Sequence, residues 1–167
     1  MRWIIGLLIP VVLAQEPAQA TRGRKIYFDS EMPGSRCGNC HLMEKKGTPA
    51  GPDLSRLAVL NPRRIKMAVM STITQYVQQA KLKAGESIPV MIAAEENGQV
   101  KLFDFSTNPP QARTFQKEEI TKLEPNTIWK HPPESAKLSA AQLADVIGFI
   151  RYASNGDKRE VKSEDVD

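Results

Sequence analysis

Residues 37–41 read Cys-Gly-Asn-Cys-His, and they contain both cysteines of the chain and one of its two histidines. Cys-x-x-Cys-His is the attachment signature of a c-type haem. Two thiols at this spacing can each add to one vinyl group of the porphyrin, and the adjacent imidazole is then aimed at the iron. The stretch therefore predicts one covalently bound haem c. Cys37 and Cys40 are the expected thioether positions, and His41 is the expected proximal iron ligand.

A Cys-x-x-Cys pair has three other interpretations: a structural disulfide, half of a zinc site, or a thioredoxin-like redox motif. Zinc would need two further ligands of the usual kind, but the chain has no further cysteine, and His131 is its only histidine besides His41. A thioredoxin-like motif is expected beside a βαβ pattern, which the flanking sequence does not show. A disulfide gives no reason for His41 to follow directly. These interpretations are weaker than haem attachment.

The N-terminus has the plan of a secretory signal peptide. A basic start precedes a short apolar run at residues 3–13, which small and polar residues follow. The run is shorter than the about 20 residues that usually span a bilayer. We expect a signal peptide over residues 1–20, cleaved after Ala20, with Ala14 as a second candidate and an uncleaved anchor as the alternative. The mature protein is then periplasmic or otherwise exported, without a stable membrane span.

The net charge and aromatic content of the chain indicate which classes of partner to expect. The formal net charge is +4, and aromatic residues make up 6% of the chain without interleaving a basic stripe, so no nucleic-acid partner is indicated. A mild positive bias could steer an acidic redox partner, although such residues also simply keep a surface hydrated. The sequence shows no carboxylate pair, serine triad or nucleotide-binding loop, and no separate catalytic site is predicted.

Hydrophobic periodicity predicts three helices. The first covers residues 21–29. The second covers residues 62–79 and is capped by Asn61, with Pro62 at its first position. The last begins after Ser139, where Gln142 completes a capping box.

Between the second and last helices, the pattern predicts a small antiparallel β insert at about residues 85–118. Two strands, at residues 88–94 and 100–105, are joined by an Asn97-Gly98 turn, and a third strand covers residues 113–116. Residues 155–167 are polar and highly charged, and they are predicted to form a disordered charged tail.

A Gly51-Pro52-Asp53-Leu54 stretch follows the haem motif, and with it the chain resembles the class I cytochrome c family. The resemblance implies a mainly α, cytochrome c-like fold around one haem over residues 21–154, with an insert similar to that of some bacterial haem-binding domains. It implies that the Pro52 carbonyl accepts a hydrogen bond from His41 Nδ1. It also implies a crossing of the first and last helices, for which Gly23, Tyr27, Phe149 and Tyr152 are suitable.

The family usually presents a distal methionine, often as Met-Pro, from the loop before the last helix. His131-Pro132 occupies that place in this chain, so His131 is the expected distal ligand. The alternatives are an open or water-bound iron, and Met91. Because methionine raises the reduction potential, a second imidazole should lower it.

The expected function is therefore that of an exported monohaem c-type cytochrome that transfers electrons between redox protein partners, with bis-histidine ligation and a low potential. One alternative is a peroxidase-like or gas-binding haem protein with an open distal site. The other is a haem-bearing subunit that docks onto a dehydrogenase through its β insert and basic surface.

Overall fold

The computed structural model describes residues 15–29, 31, 36–72, 74–131 and 137–167. Within them lie the helices α1 (Ala18–Asp29), α2 (Pro62–Met70) and α3 (Ala140–Asn155). The strands are β1 (Gln78–Leu82), β2 (Ser87–Glu96), β3 (Gln99–Asp104), β4 (Gln111–Gln116) and β5 (Ile120–Pro125). Short 3-10 helices cover Cys37–Asn39, Leu54–Val59, Lys117–Glu119 and Ser163–Asp165. None of the described helices is both long and apolar enough to cross a membrane.

Helices α1 and α3 cross at Gly23, where the backbones come so close that no side chain fits. A Cβ added at Gly23 would lie 1.9 Å from the backbone oxygen of Asp145. Beside this contact, the fully buried rings of Tyr27 and Phe149 meet edge to face, with their centres 5.3 Å apart. Such aromatic pairs add stabilisation beyond the apolar area they bury. The helix crossing expected at these three residues is present.

Helix α2 begins as predicted but is shorter. The Asn61 side chain accepts a hydrogen bond from Arg64 N at 2.9 Å, and Pro62 is the first helical residue. The helix ends at Met70, not at residue 79, because Ser71 is extended and the chain then runs into β1. Gln78 pairs with strands on both sides, and these backbone hydrogen bonds replace those of a longer helix.

The five strands form one antiparallel sheet in the order β4-β3-β2-β1-β5. Asn97 and Gly98, with φ of 53° and 76°, make the predicted tight turn between β2 and β3. The chain then returns from β4 through a 3-10 helix to place β5 beside β1 on the far side of the sheet. The buried apolar cluster of the sheet consists of Ala80, Leu82, Ile88, Val90, Val100 and Leu102. All six are strand residues, so the sheet has a core of its own.

This sheet overturns two predictions. The mainly α fold class is wrong, because the chain combines helices with a five-stranded sheet. The assignment to the class I cytochrome c family is also wrong, since that fold is essentially helical. The insert predicted at residues 85–118 is larger, because β1 and β5 extend it to Gln78 and Pro125. Both strands carry polar and charged residues, and they form through pairing with neighbours, which intrinsic β propensity does not reveal.

The ends of the described chain pack against the helices. Residues 155–167 were predicted to be disordered, but Val161 and Val166 are buried in a cluster with Ile65 and Ile147. These two valines anchor the segment in the core. Its other residues are mostly charged, so its average composition does not predict this packing. Of the predicted signal peptide, residues 1–14 lie outside the described residues, and residues 18–20 form the first turn of α1.

Candidate haem site

The Cys-Gly-Asn-Cys-His stretch folds into a single 3-10 turn. The backbone N–H groups of Cys40 and His41 both donate to the carbonyl of Cys37, at 3.1 and 2.8 Å. The turn is held against α1 at Gly38, where an added Cβ would lie 2.6 Å from the ring of Phe28. Cys37, Cys40 and His41 consequently line one and the same cavity. The backbone thus brings together the three groups that haem attachment requires.

The ring of His41 is held in one orientation. Its Nδ1 lies 2.7 Å from the Pro52 carbonyl oxygen, so Nδ1–H donates and the lone pair of a neutral ring is left on Nε2. Burial lowers the pKa of His41 from its usual value, and the hydrogen bond to Pro52 opposes this only in part. Gly51 allows the loop to approach, since a Cβ there would lie 2.5 Å from His41 Cε1. His41 therefore has the tautomer that an iron ligand needs.

His131 faces His41 across the cavity. The centres of the two imidazole rings are 6.3 Å apart, and the ring planes are inclined by 52°. Metal–imidazole bonds of about 2.0 Å and the small radius of the ring place two imidazoles on one metal ion with their centres roughly 6 Å apart. The observed separation matches that requirement. Burial, and to a smaller extent His41, lower the pKa of His131 to about 4, so its neutral form predominates at neutral pH.

The sheet positions His131. The chain leaves β5 at Pro125 and reaches His131 six residues later. Within this loop, the Asn126 side chain accepts hydrogen bonds from the N–H groups of Ile128 (3.2 Å) and Trp129 (2.9 Å) and donates one to the Trp129 carbonyl (2.5 Å). The Trp129 ring packs on Phe105 with the centres 4.8 Å apart. Asn126 and Phe105 together fix the segment that carries His131.

Cys37 and Cys40 are not joined to each other by a disulfide bond. Burial raises the pKa of the Cys37 thiol to about 12 and that of the Cys40 thiol to about 11. Dithiol redox motifs of the thioredoxin type instead have a cysteine of lowered pKa, because the thiolate is the reactive form. The surroundings of this pair therefore do not favour disulfide exchange.

The cavity that both histidines line has a volume of about 600 Å³, within the range of about 300–1,000 Å³ that is typical of cofactor sites. Its walls come from both halves of the molecule and are largely apolar: they include Leu54, Leu57, Val69, Val77, Phe105, Trp129, Val146 and Ile150. The volume, the apolar walls, the two thiols and the two imidazoles that line this cavity all fit a covalently attached haem.

The alternative ligand Met91 is not among the described residues that line the cavity. It packs in an apolar cluster with four residues that do line it, namely Cys40, Val77, Phe105 and Trp129. Within residues 15–29, 31, 36–72, 74–131 and 137–167, no group of three or more histidine, cysteine, aspartate or glutamate side chains could hold a metal ion.

One part of the site had no sequence signal, namely the contact of the sheet with the attachment motif. The Asn39 amide donates to the side-chain oxygen of Asn108 at 3.0 Å, which joins the β3–β4 loop to the Cys-x-x-Cys turn. Phe105 is separated from the motif by more than 60 residues, so only the fold reveals that it lines the cavity. Comparison with models of known protein families and with curated proteins gives no match for this chain.

Proposed function

We propose that this protein is an exported electron carrier with one haem c, attached through Cys37 and Cys40 and ligated by His41 and His131. The observation that carries the proposal is the pair of facing imidazoles, 6.3 Å apart, in the cavity that both thiols also line. This function is proposed from the covalent cofactor and its chemistry. It does not depend on the class I cytochrome c fold, which the sheet excludes.

Each group has a distinct task in this proposal. Cys37 and Cys40 tether the cofactor to the turn before His41, so that it stays bound in either redox state. Pro52 holds His41 with Nε2 towards the cavity. When bound, a haem supplies a reversible one-electron change at its iron. The apolar walls would exclude water from the cofactor, and if His41 and His131 both bound its iron, no coordination site would remain for a substrate.

A low reduction potential follows from the ligand set. Methionine as an axial ligand raises the potential, and axial ligands tune haem potentials over a range of about 0.8 V. Replacing the expected methionine with the imidazole of His131 removes that contribution. The protein is therefore proposed to accept electrons from a low-potential donor protein and pass them to a second redox protein. Its export is supported by the apolar run at residues 3–13, and an acidic partner by its net charge of +4.

Magnetic circular dichroism of the purified haem protein tests the ligand set. We expect the near-infrared band of bis-histidine iron in the unmutated protein. In His131→Met we expect a changed spectrum and a higher potential, and in the control Met91→Leu an unchanged spectrum. A methionine–iron charge-transfer band in the unmutated protein, or an unaltered spectrum in His131→Met, would refute the assignment. Rapid binding of carbon monoxide or cyanide would favour an open-site haem enzyme instead.

A further inference from the structure

The side chain of Gln19 connects three separate parts of the chain. Its Nε2 donates to the Val161 carbonyl at 2.6 Å, and its Oε1 accepts from the Val161 N–H at 2.9 Å. To reach Val161 it passes over Gly148 of α3, where an added Cβ would lie 2.8 Å from Gln19 Oε1. A glycine within a helix costs roughly 1 kcal/mol relative to alanine. At this position it makes room for the Gln19 side chain.

The neighbours of Gln19 are also built into the fold. Ala20 is 1% exposed, and the Pro17 carbonyl accepts the hydrogen bond from Thr21 N (3.0 Å) that starts α1. The Glu16 carboxylate lies 3.0 Å from the Arg24 guanidinium, and both side chains are 27% exposed. Residues 16–20 therefore provide the first turn of α1, a buried side chain, an ion pair and the bridge to Val161.

Cleavage after Ala20, within a signal peptide of residues 1–20, would remove all of these contacts. The backbone groups of Val161 would lose their partner, and the space above Gly148 would have no occupant. A new ammonium group would also stand at Thr21, at the N-terminus of the shortened helix, where the helix dipole disfavours positive charge. Cleavage after Ala14 avoids each of these costs, and Val12-Leu13-Ala14 places a small residue at the cleavage position.

We propose that signal peptidase cleaves between Ala14 and Gln15, so that the mature protein begins at Gln15 and retains Gln19 as the link to its C-terminal segment. The reaction is hydrolysis of one peptide bond. Water is consumed, Ala14 becomes the carboxylate end of the released peptide, and Gln15 becomes the new amino terminus. The proposal rests on the export that is part of the proposed function.

The first test is the N-terminus of the exported protein. The full precursor is produced in a bacterial host that exports proteins and attaches haem c, and the periplasmic protein is analysed by intact mass and N-terminal sequencing. We expect a chain that starts at Gln15, as such or in its cyclised form. An exported haem protein that starts at Thr21 overturns this inference alone. A chain that keeps Met1 and stays in the cytoplasm overturns it together with the proposed export.

The second test measures the bridge itself, through hydrogen exchange at the Val161 amide in the mature haem protein. Gln19→Ala is expected to speed this exchange by about tenfold or more, since the amide loses its acceptor. Gly148→Ala should have the same effect, although alanine favours a helix, because its methyl group displaces Gln19. The control Lys25→Ala, at an exposed position of the same helix, should leave the exchange unchanged. If the Val161 amide exchanged no faster in Gln19→Ala and Gly148→Ala than in the Lys25→Ala control, the structural role of Gln19 would be refuted.

Discussion

At the scale of single residues, the site depends on how His41 is held rather than on its presence alone. The Pro52 carbonyl accepts a hydrogen bond from Nδ1–H of the ring, and Gly51 leaves the space in which the ring lies. Orienting partners of this kind commonly affect a metal site nearly as much as the ligands do. Only glycine fits at position 51 without a shift of its neighbours, because an added Cβ would overlap the His41 ring.

Gly51→Ala should therefore disturb His41 directly. The added methyl group would lie 2.5 Å from Cε1 and 2.8 Å from Nδ1 of His41, so the ring or the loop has to move. We expect a loss of about 1–3 kcal/mol in the free energy of unfolding and a partly high-spin optical spectrum. Pro49→Ala, at an exposed position of the same loop, is the control. A spectrum and stability like those of the unmutated protein in Gly51→Ala would contradict this role.

The proposed iron ligands could be named from the sequence, whereas the residues that position them mostly could not. The attachment pattern is local, so five consecutive residues suffice to predict it. Pro52 was predicted from the family resemblance, and the hydrogen bond distance to His41 is the one that such a role requires. Asn126 and Phe105 had no signal, since their importance arises only when β5 and β3 are in place.

At the scale of elements, the sheet positions the part of the cavity wall that includes His131. The loop after β5 carries His131, the end of β3 leads to Phe105, and the β3–β4 loop contacts Asn39. The missed strands explain why this was not predicted. β1 and β5 have the sequences QQAKL and ITKLEP, in which the alternation of apolar residues is weak, and they are stabilised by pairing with each other.

Asn126→Ala should loosen the distal ligand without affecting haem attachment. The variant loses three hydrogen bonds within the loop, each worth about 0.5–1.5 kcal/mol. We expect His131 to leave the iron more often, which increases the rate of carbon monoxide binding to the reduced protein by about tenfold or more. Asn126→Asp keeps the acceptor and should show a smaller increase.

Thr127→Ala is the matched control for Asn126, because it lies in the same loop and is exposed. Its carbon monoxide binding should equal that of the unmutated protein. Indistinguishable rates in Asn126→Ala and Thr127→Ala would mean that the loop is held by other contacts.

Asp104 should make the stability of the sheet depend on pH. Burial alone would raise the pKa of this carboxyl group, but hydrogen bonds from Ser106 N (2.8 Å) and Arg113 (2.7 Å) outweigh burial and lower it. A carboxylate with a lowered pKa in the folded state stabilises the fold above its unfolded pKa of about 3.9. This contribution is lost as the pH falls through the lower folded value, because the unfolded state then binds more protons.

Asp104→Asn is expected to destabilise the protein by about 1–3 kcal/mol at pH 7 and to flatten the dependence of stability on pH below 4. Denaturant unfolding at pH 7 and pH 3 measures both effects. Glu96→Gln removes an exposed partner of Lys101 at 3.8 Å and should change stability little. An Asp104→Asn variant with the unmutated pH dependence would show that Asp104 is not responsible.

At the scale of the whole molecule, the helical part and the sheet together line the cavity of the candidate haem site. The helical part contributes the cysteines and His41, and the sheet contributes His131 through the loop after β5. The sequence indicated the helices and the hairpin of β2 and β3 through their local patterns. It did not indicate the full sheet or the packing of Val161 and Val166, because both depend on contacts between distant parts of the chain.

The central claim is that one haem is bound covalently through Cys37 and Cys40. The most direct test is the intact mass of the denatured protein from a host that attaches haem c, compared with that of the double variant Cys37→Ala/Cys40→Ala. We predict the mass of the polypeptide plus one haem for the unmutated protein, and that of the polypeptide alone for the double variant. An unmutated protein with the mass of the polypeptide alone, or of its disulfide form, would contradict the account.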